Sequence, residues 1–162
     1  MATDVGFVDM EKDEDTSIII GHAGFIKTVE DLYEALTNAV PQIKFGLAFA
    51  EASGKRLLRS DGNDKQLEGL AQKNLMAINA GHTFLIMFKG AYPINVVKHI
   101  RDVNEVVSIY CATANTVSVA IANYDGKRAV VGVSDGDTML GMEGEADKKE
   151  RHDLLRKIGY KK

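Results

Sequence analysis

The chain contains one cysteine, Cys111, so no internal disulfide forms and nothing in the fold depends on an oxidising compartment. No apolar run approaches the ~18 residues that a membrane helix needs. Residues 1–15 carry Asp4, Asp9, Glu11, Asp13, Glu14 and Asp15 without the apolar stretch of a secretory leader, so a cytoplasmic protein is expected. Basic excess is missing as well. The formal net charge is −3, which argues against a general attraction to nucleic acid and leaves only a local basic site open. Tryptophan is absent, and of the two prolines Pro41 marks a helix exit while Pro93 suits the first turn of another helix. What remains is an ordinary globular composition, 45% hydrophobic and 27% charged. The length suits a single domain, 1–162, burying roughly 70% of the surface its unfolded form exposes.

The familiar cofactor motifs are missing too. Lys55 after Gly54 suggests a P-loop, but Phe49 stands at the position of the first P-loop glycine and Arg56 replaces the Ser or Thr that holds magnesium. The glycines after Val131 do not form G-x-G-x-x-G, which excludes a dinucleotide fingerprint. Asp135-Gly136-Asp137 is too short for an EF-hand loop. His22, His82, His99 and His152 are dispersed and none pairs with another histidine or a cysteine at zinc-ligand spacing, so no metal site is predicted. His99 with Asp102, and His152 among its charged neighbours, read as solvated groups. Cys111 reads as a small buried hydrophobe.

Apolar periodicity predicts strands over residues 5–10 and 17–21, then a small-residue loop Gly21-His22-Ala23-Gly24. A helix follows from Thr28, where Thr28-x-x-Asp31 resembles a capping box and Val29, Leu32, Leu36 and Val40 keep helical spacing. Residues 45–50 form a nearly continuous apolar run, expected to be a strand buried on both faces. A short strand over 55–60 turns at Asp61-Gly62. Asn63-x-x-Gln66 caps a second helix, with Leu67, Leu70, Ala71, Leu75 and Ile78 inward and Gly81 ending it. Residues 82–88 read as another buried strand, 93–101 as a short helix and 106–114 as a strand. Strands over 117–122 and 129–133 form a hairpin across Tyr124-Asp125-Gly126. Glycines 132, 136, 141 and 144 predict a flexible stretch, and a last helix over 145–158 is expected to turn Leu154, Leu155 and Ile158 inward before Gly159 stops it. The predicted fold class is α/β: one domain with a mixed β-sheet and helices packed on it. Helical crossovers suggest parallel early strands, with an antiparallel hairpin in the C-terminal third.

Three strand boundaries carry polar groups beside small residues. The run over 45–50 exits into Glu51-Ala52-Ser53-Gly54-Lys55-Arg56, and in open α/β sheets ligands sit beyond the carboxyl ends of such strands. The competing reading is a solvated turn in which Glu51 pairs with Lys55 or Arg56. His82 stands between Gly81 and Thr83, where an imidazole can act as general base or as a nucleophile accepting a phosphoryl group. A bond to the last carbonyls of the preceding helix is its alternative role. Asn115 closes Cys111-Ala112-Thr113-Ala114-Asn115, with an amide that can give and accept at a purine edge or simply make a tight turn. Chain direction sets a condition on joining the three. His82 begins its strand whereas Glu51 and Asn115 follow theirs, so a single pocket requires an antiparallel strand or sharing between subunits.

FIKTVEDLYEAL (25–36), IKFGLAFAEASGKRL (43–57), AGHTF (80–84), PINV (93–96), CATAN (111–115) and the closing DKKE…LRKIGYK (147–161) together resemble the archaeal and bacterial adenosine-specific kinase family over almost the whole chain. The resemblance implies a protein that binds adenosine and AMP rather than ATP or ADP. It also implies phosphoryl transfer to adenosine by way of a phosphohistidine, and a homo-oligomer, most simply a trimer. By the same resemblance His82, in AGH-x-F, is the catalytic residue. Glu51, Ser53, Lys55 and Arg56 of EASGKR and Asn115 of CATAN are substrate-binding, and neither cofactor nor phosphoryl donor is specified. Phe25 and Phe45 are candidate platforms for the base. One position departs: members of the family carry a histidine immediately before FIKTVEDL, where this chain has Gly24, with His22 two positions earlier. A non-catalytic adenosine or AMP sensor and a structural subunit are the other classes that such a chain fits.

Overall fold

The computed structural model describes residues 4–162, so residues 1–3 of the expected 1–162 domain lie outside the described residues. In chain order its elements are β1 (Asp4–Asp9), β2 (Ser17–Ala23), α1 (Thr28–Ala39), β3 (Lys44–Ala50), β4 (Leu58–Gly62), α2 (Lys65–Ile78), β5 (Thr83–Lys89), α3 (Pro93–Arg101), β6 (Val106–Thr113), β7 (Val117–Tyr124), β8 (Lys127–Asp135) and α4 (Glu145–Lys157). Strands β4, β3, β5, β2 and β6 form one sheet in that order, and β1, β7 and β8 form a second.

Side chains alternate across the central strands, and each set finds its own cover. Ile18 and Ile20 of β2, Ala48 of β3, and Leu85 and Met87 of β5 pack with Leu67, Ala71, Leu75 and Ile78 of α2 and with Val117, Val119 and Ile121 of the small sheet. Ile19, Phe45, Leu47, Phe49, Phe84, Ile86 and Phe88 pack instead with Val29, Leu32 and Leu36 of α1 and with Val96 and Ile100 of α3. The result is three layers with the five-stranded sheet in the middle. Phe45, Phe49, Phe84 and Phe88 are fully buried, each contributing about 1.5–3 kcal/mol. They also meet across the strands, Phe45 opposite Phe88 and Phe49 opposite Phe84. A slip of one residue would turn every ring to the wrong face, so these pairs hold the β3–β5 register.

The α/β class, the single domain and the β7–β8 hairpin are as expected. The parallel pairing is not: every strand pair among the described residues is antiparallel. Strands β2 and β3 do run the same way across α1, but β5 enters between them in the opposite sense. The continuous apolar runs arise from cover on both faces, which these layers supply whatever the strand direction.

Several local expectations also change. Thr28 does not cap α1; its hydroxyl donates to the Phe25 carbonyl at 2.6 Å, and Asp31 pairs with Lys27 at 2.7 Å. Asp64 rather than Asn63 caps α2, its carboxylate accepting from the N–H groups of Gln66 and Leu67. Asn63 instead ties into β3, accepting from the Phe45 N–H at 2.9 Å and donating to the Ile43 carbonyl at 2.8 Å. Helix α2 ends at left-handed Asn79, before Gly81. Strand β4 starts at Leu58 and contains Asp61 and Gly62, and Gly132 lies within β8. Helix α4 buries none of its residues, so Leu154 and Ile158 are not inward. No described helix is long and apolar enough to cross a membrane.

Candidate functional site

Because β3 and β5 are antiparallel, the end of one meets the start of the other, and the condition set by chain direction is satisfied within one chain. A cavity of about 590 Å³ opens there, walled by Gly24–Ile26 on one side and by Ser53–Arg59 on the other, with Glu51 and His82 between them. The His82 N–H donates to the Ala50 carbonyl at 2.7 Å, and its own carbonyl accepts from the Ala23 N–H at 2.9 Å, so the backbone ladder continues through this residue. His82 has φ 58°, a left-handed conformation uncommon for a side chain of this size and the kind of outlier that concentrates at functional sites. Gly81 makes the approach feasible, since a Cβ there would come within 2.9 Å of Ala52. The imidazole stacks on Phe49 with ring centroids 5.9 Å apart and meets the edge of His22 at 6.0 Å.

Glu51 is held in place by its own turn. Its Oε1 accepts from the Ala52 and Ser53 N–H groups at 3.0 and 3.4 Å and from the Ser53 hydroxyl at 3.3 Å, while Oε2 lies 3.3 Å from Arg59 Nη2. Burial alone pushes this carboxyl up, but those N–H groups, Arg59 and the hydroxyl outweigh it and hold it below its ordinary value. An ionised carboxylate therefore stands with Oε1 3.6 Å from His82 Nε2. That separation exceeds a hydrogen bond, so the coupling is electrostatic.

The competing pairing of Glu51 with Lys55 or Arg56 does not occur; the partners are Arg59 and His82. Lys55 and Arg56 are exposed on a tight turn in which Gly54 has φ 58° and Arg56 φ 49°, closed by the Arg56 N–H donating to Ser53 at 3.1 Å. Three cations and one carboxylate line the cavity, formally +2, a local basic site on a chain of net charge −3. Arg59 went unread in the sequence. It becomes a site residue because β4 pairs it opposite Phe49, from where its guanidinium reaches both Glu51 and the Ile26 carbonyl, the latter at 2.9 Å. Phe45 is wholly buried, whereas Phe25 is 56% exposed at the cavity mouth.

Asn115 is not brought to this cavity. The C-terminal end of β6 pairs with Ile18 at the start of β2, the sheet edge away from His82. There Asn115 Nδ2 donates to Asp135 at 3.0 Å and its backbone N–H donates to Thr113, the turn role rather than a shared pocket. Gly24, which stands where the family histidine is expected, packs against the imidazole: a Cβ at Gly24 would lie 3.2 Å from His82 Nδ1. His22 stands behind His82, outside the cavity lining. Among the described residues no group of three His, Cys, Asp or Glu side chains is placed to hold a metal.

Behind the Gly24–Ile26 wall lies a buried carboxyl, Glu105, whose oxygens have no hydrogen-bond donor and whose nearest cation, Lys27, is 3.8 Å away. Burial, and then the neighbouring Asp31, raise it above its ordinary value of 4.5. The proton is therefore held more tightly in the folded chain, so stability is fullest at low pH and falls as pH rises past 4.5 toward the folded value. Glu105→Gln is expected to gain about 1 kcal/mol at pH 7 and almost nothing near pH 4, which urea unfolding at the two pH values measures. An equal change at both would show that folding does not raise the Glu105 carboxyl above its ordinary value.

Residues 8–161 match the family described as adenosine specific kinase. A crystal structure of the PH1918 protein from Pyrococcus horikoshii OT3 is 46% identical in sequence and superposes with a TM-score of 0.95, covering 99% of each chain. No curated protein matches this chain. With a family match across nearly its whole length and a relative of this identity, the chain belongs to the adenosine-specific kinase family.

Proposed function

We propose that this cavity binds adenosine or AMP, and that His82 carries a phosphoryl group from a phosphoanhydride donor to adenosine. Family membership supports the adenosine kinase activity. The observation that carries the finer reading is the juxtaposition, within one chain, of an imidazole, an ionised carboxylate and three cations around one cavity. A volume of about 590 Å³ is in the range of small-molecule sites and suits a nucleoside monophosphate. Phe25, Ile26 and Leu57 offer an apolar mouth for the base. The five supporting residues come from a single chain, so this chemistry does not require the trimer that the resemblance implies.

With its proton on Nε2, toward Glu51, His82 has its free lone pair on Nδ1, on the side of the ring where Gly24 carries no side chain. In the first half-reaction Nδ1 attacks the terminal phosphorus; a P–N bond forms as the bond to the bridging oxygen breaks, and the leaving phosphate takes the electron pair. In the second, the 5′-hydroxyl oxygen of adenosine attacks the same phosphorus. The P–N bond breaks, its electrons return to Nδ1, and the hydroxyl proton follows them before passing to water. Lys55 and Arg56 offset the charge that arrives with the phosphoryl group. Glu51, 3.6 Å from the ring, offsets the positive charge the imidazole carries while its Nδ1 is phosphorylated.

Labelled AMP formation from adenosine, with ATP, ADP and pyrophosphate tried in turn, tests the reading: one donor is expected to support turnover. Adenosine binding without product from any donor would make the protein a sensor instead. Calorimetry is expected to find AMP bound more tightly than ATP, because the site has little cationic provision for a triphosphate; equal affinities would count against it. Arg56→Ala is expected to weaken AMP about five- to tenfold with little change for adenosine, as loss of one solvent-accessible charge-assisted contact predicts.

A further inference from the structure

The large sheet has a second open end. Strands β5 and β6 flank β2 and run the same way, so both deliver their carboxyl ends to the side opposite His82. A cavity of about 510 Å³ opens there, among Ser17 at the start of β2, the 90–92 turn after β5, Asn95 in the first turn of α3 and Ala114 after β6. Residues 93–96 and 111–115, which take no part in the His82 site, meet around it. The seven residues of β5 separate it from His82 by roughly 20 Å, too far for shared chemistry.

The charge of this cavity is opposite to that of the first. Glu14 and Asp15 are its only charged lining residues, formally −2 against +2. Lys89 stands beside them but is shared by Asp13 at 3.3 Å and Asp15 at 2.8 Å, and Glu14 has no cationic partner among the described residues. Nor is the start of α3 an anion cradle. Pro93 lacks an N–H, and the Tyr92 and Asn95 N–H groups are taken by the Asn95 side chain and the Tyr92 carbonyl at 2.8 and 2.9 Å.

Ser17 points to an occupant independently of the acids. It is only 6% exposed, lies on the α3-facing side of β2 with Ile19 and lines the cavity, yet among the described residues its hydroxyl makes no hydrogen bond. A polar group buried in this way has lost water without replacement, which a donor in the cavity would remedy. Tyr92, 67% exposed, adds an aromatic face at the rim.

We infer that this cavity binds a small organic cation, a primary ammonium of the linear diamine class. Its charge is met by Glu14 and Asp15, an N–H by the Ser17 hydroxyl, and its methylene chain and cationic end by the Tyr92 ring. Other ligand classes fit less well. A phosphate would face two carboxylates and no free lining cation. A neutral ligand would cover both acids without offsetting their charge. A metal ion finds no group of three His, Cys, Asp or Glu side chains among the described residues. Two acids in a space of this volume match a dication.

Calorimetry on the full chain with 1,4-diaminobutane is expected to show binding that weakens as salt is raised. The corresponding 1,4-butanediol, which lacks the charge, is expected to give no heat. Glu14→Gln, Tyr92→Leu and Ser17→Ala are each expected to weaken the diamine about five- to tenfold, as loss of one charge-assisted, cation–π or hydrogen-bonded contact predicts. Glu14 and Tyr92 are exposed and the Ser17 hydroxyl has no partner to lose, so folding is retained, and a thermal melt of each variant verifies it. No heat at millimolar diamine, equal binding of the diol, or an affinity indifferent to all three substitutions would each overturn the inference. A diamine lost in Glu51→Gln and kept in Glu14→Gln would belong to the first cavity and overturn it as well.

Discussion

His82→Asn is expected to lower AMP formation at least about a thousandfold, the scale on which positioned proton-transfer and nucleophilic groups act, while adenosine binding survives. Asparagine is the informative choice. His82 has φ 58°, a conformation that asparagine tolerates better than other non-glycine side chains, so the substitution removes the nitrogen nucleophile and keeps the backbone. His82→Ala would instead mix lost chemistry with backbone strain of about 1 kcal/mol. Intact mass spectrometry at neutral pH is expected to show an acid-labile phosphate on the wild type that disappears in His82→Asn. His22→Asn is the matched control, because the His22 ring stands 6.0 Å from the His82 ring and does not line the cavity. If the phosphate and the AMP survive His82→Asn and vanish in His22→Asn, the catalytic assignment passes to the second histidine.

Gly46→Ala is expected to destabilise the fold by at least about 3 kcal/mol, the upper end of ordinary overpacking costs. A Cβ at Gly46 would fall 2.0 Å from the Glu68 backbone nitrogen and 2.2 Å from its Cα. Both atoms belong to the first turn of α2, which Asp64 caps and Asn63 anchors to β3, so the helix cannot slide away cheaply. Urea unfolding measures the loss. Gly69→Ala, with nothing within 4 Å of the added atom, is the control and is expected to be neutral or slightly stabilising. Equal stabilities for the two alanine variants would mean that α2 does not rest on β3 as described.

The elements themselves were legible because local periodicity carries them. The apolar run 45–50 and residues 82–88 became β3 and β5, and the Asp-Gly hairpin appeared where its turn chemistry demands it. Strand direction was not legible, because a strand covered on both faces is apolar throughout whichever way its neighbours run. The caps misled for a related reason: Asn63 and Asp64 both suit a helix start, and only the nearness of the Ile43 and Phe45 backbone diverts the first of them. Helix α4 carries leucines at inward-looking spacing, yet it buries none of its residues, because periodicity alone does not bring another element over them.

The sequence by itself determined that this is a single α/β domain, and the segments spread from 25–36 to 147–161 carried its family likeness. Only the tertiary structure decided which of the polar boundaries share a cavity. The Phe45–Phe88 and Phe49–Phe84 pairs set an antiparallel register that delivers Glu51 to His82 and draws Arg59 in from β4. The pairing of β6 with β2 carries Asn115 to the other end of the sheet. Proximity between residues this far apart in sequence is a property of strand order and direction, and these are set by which faces pack together rather than by any local run of residues.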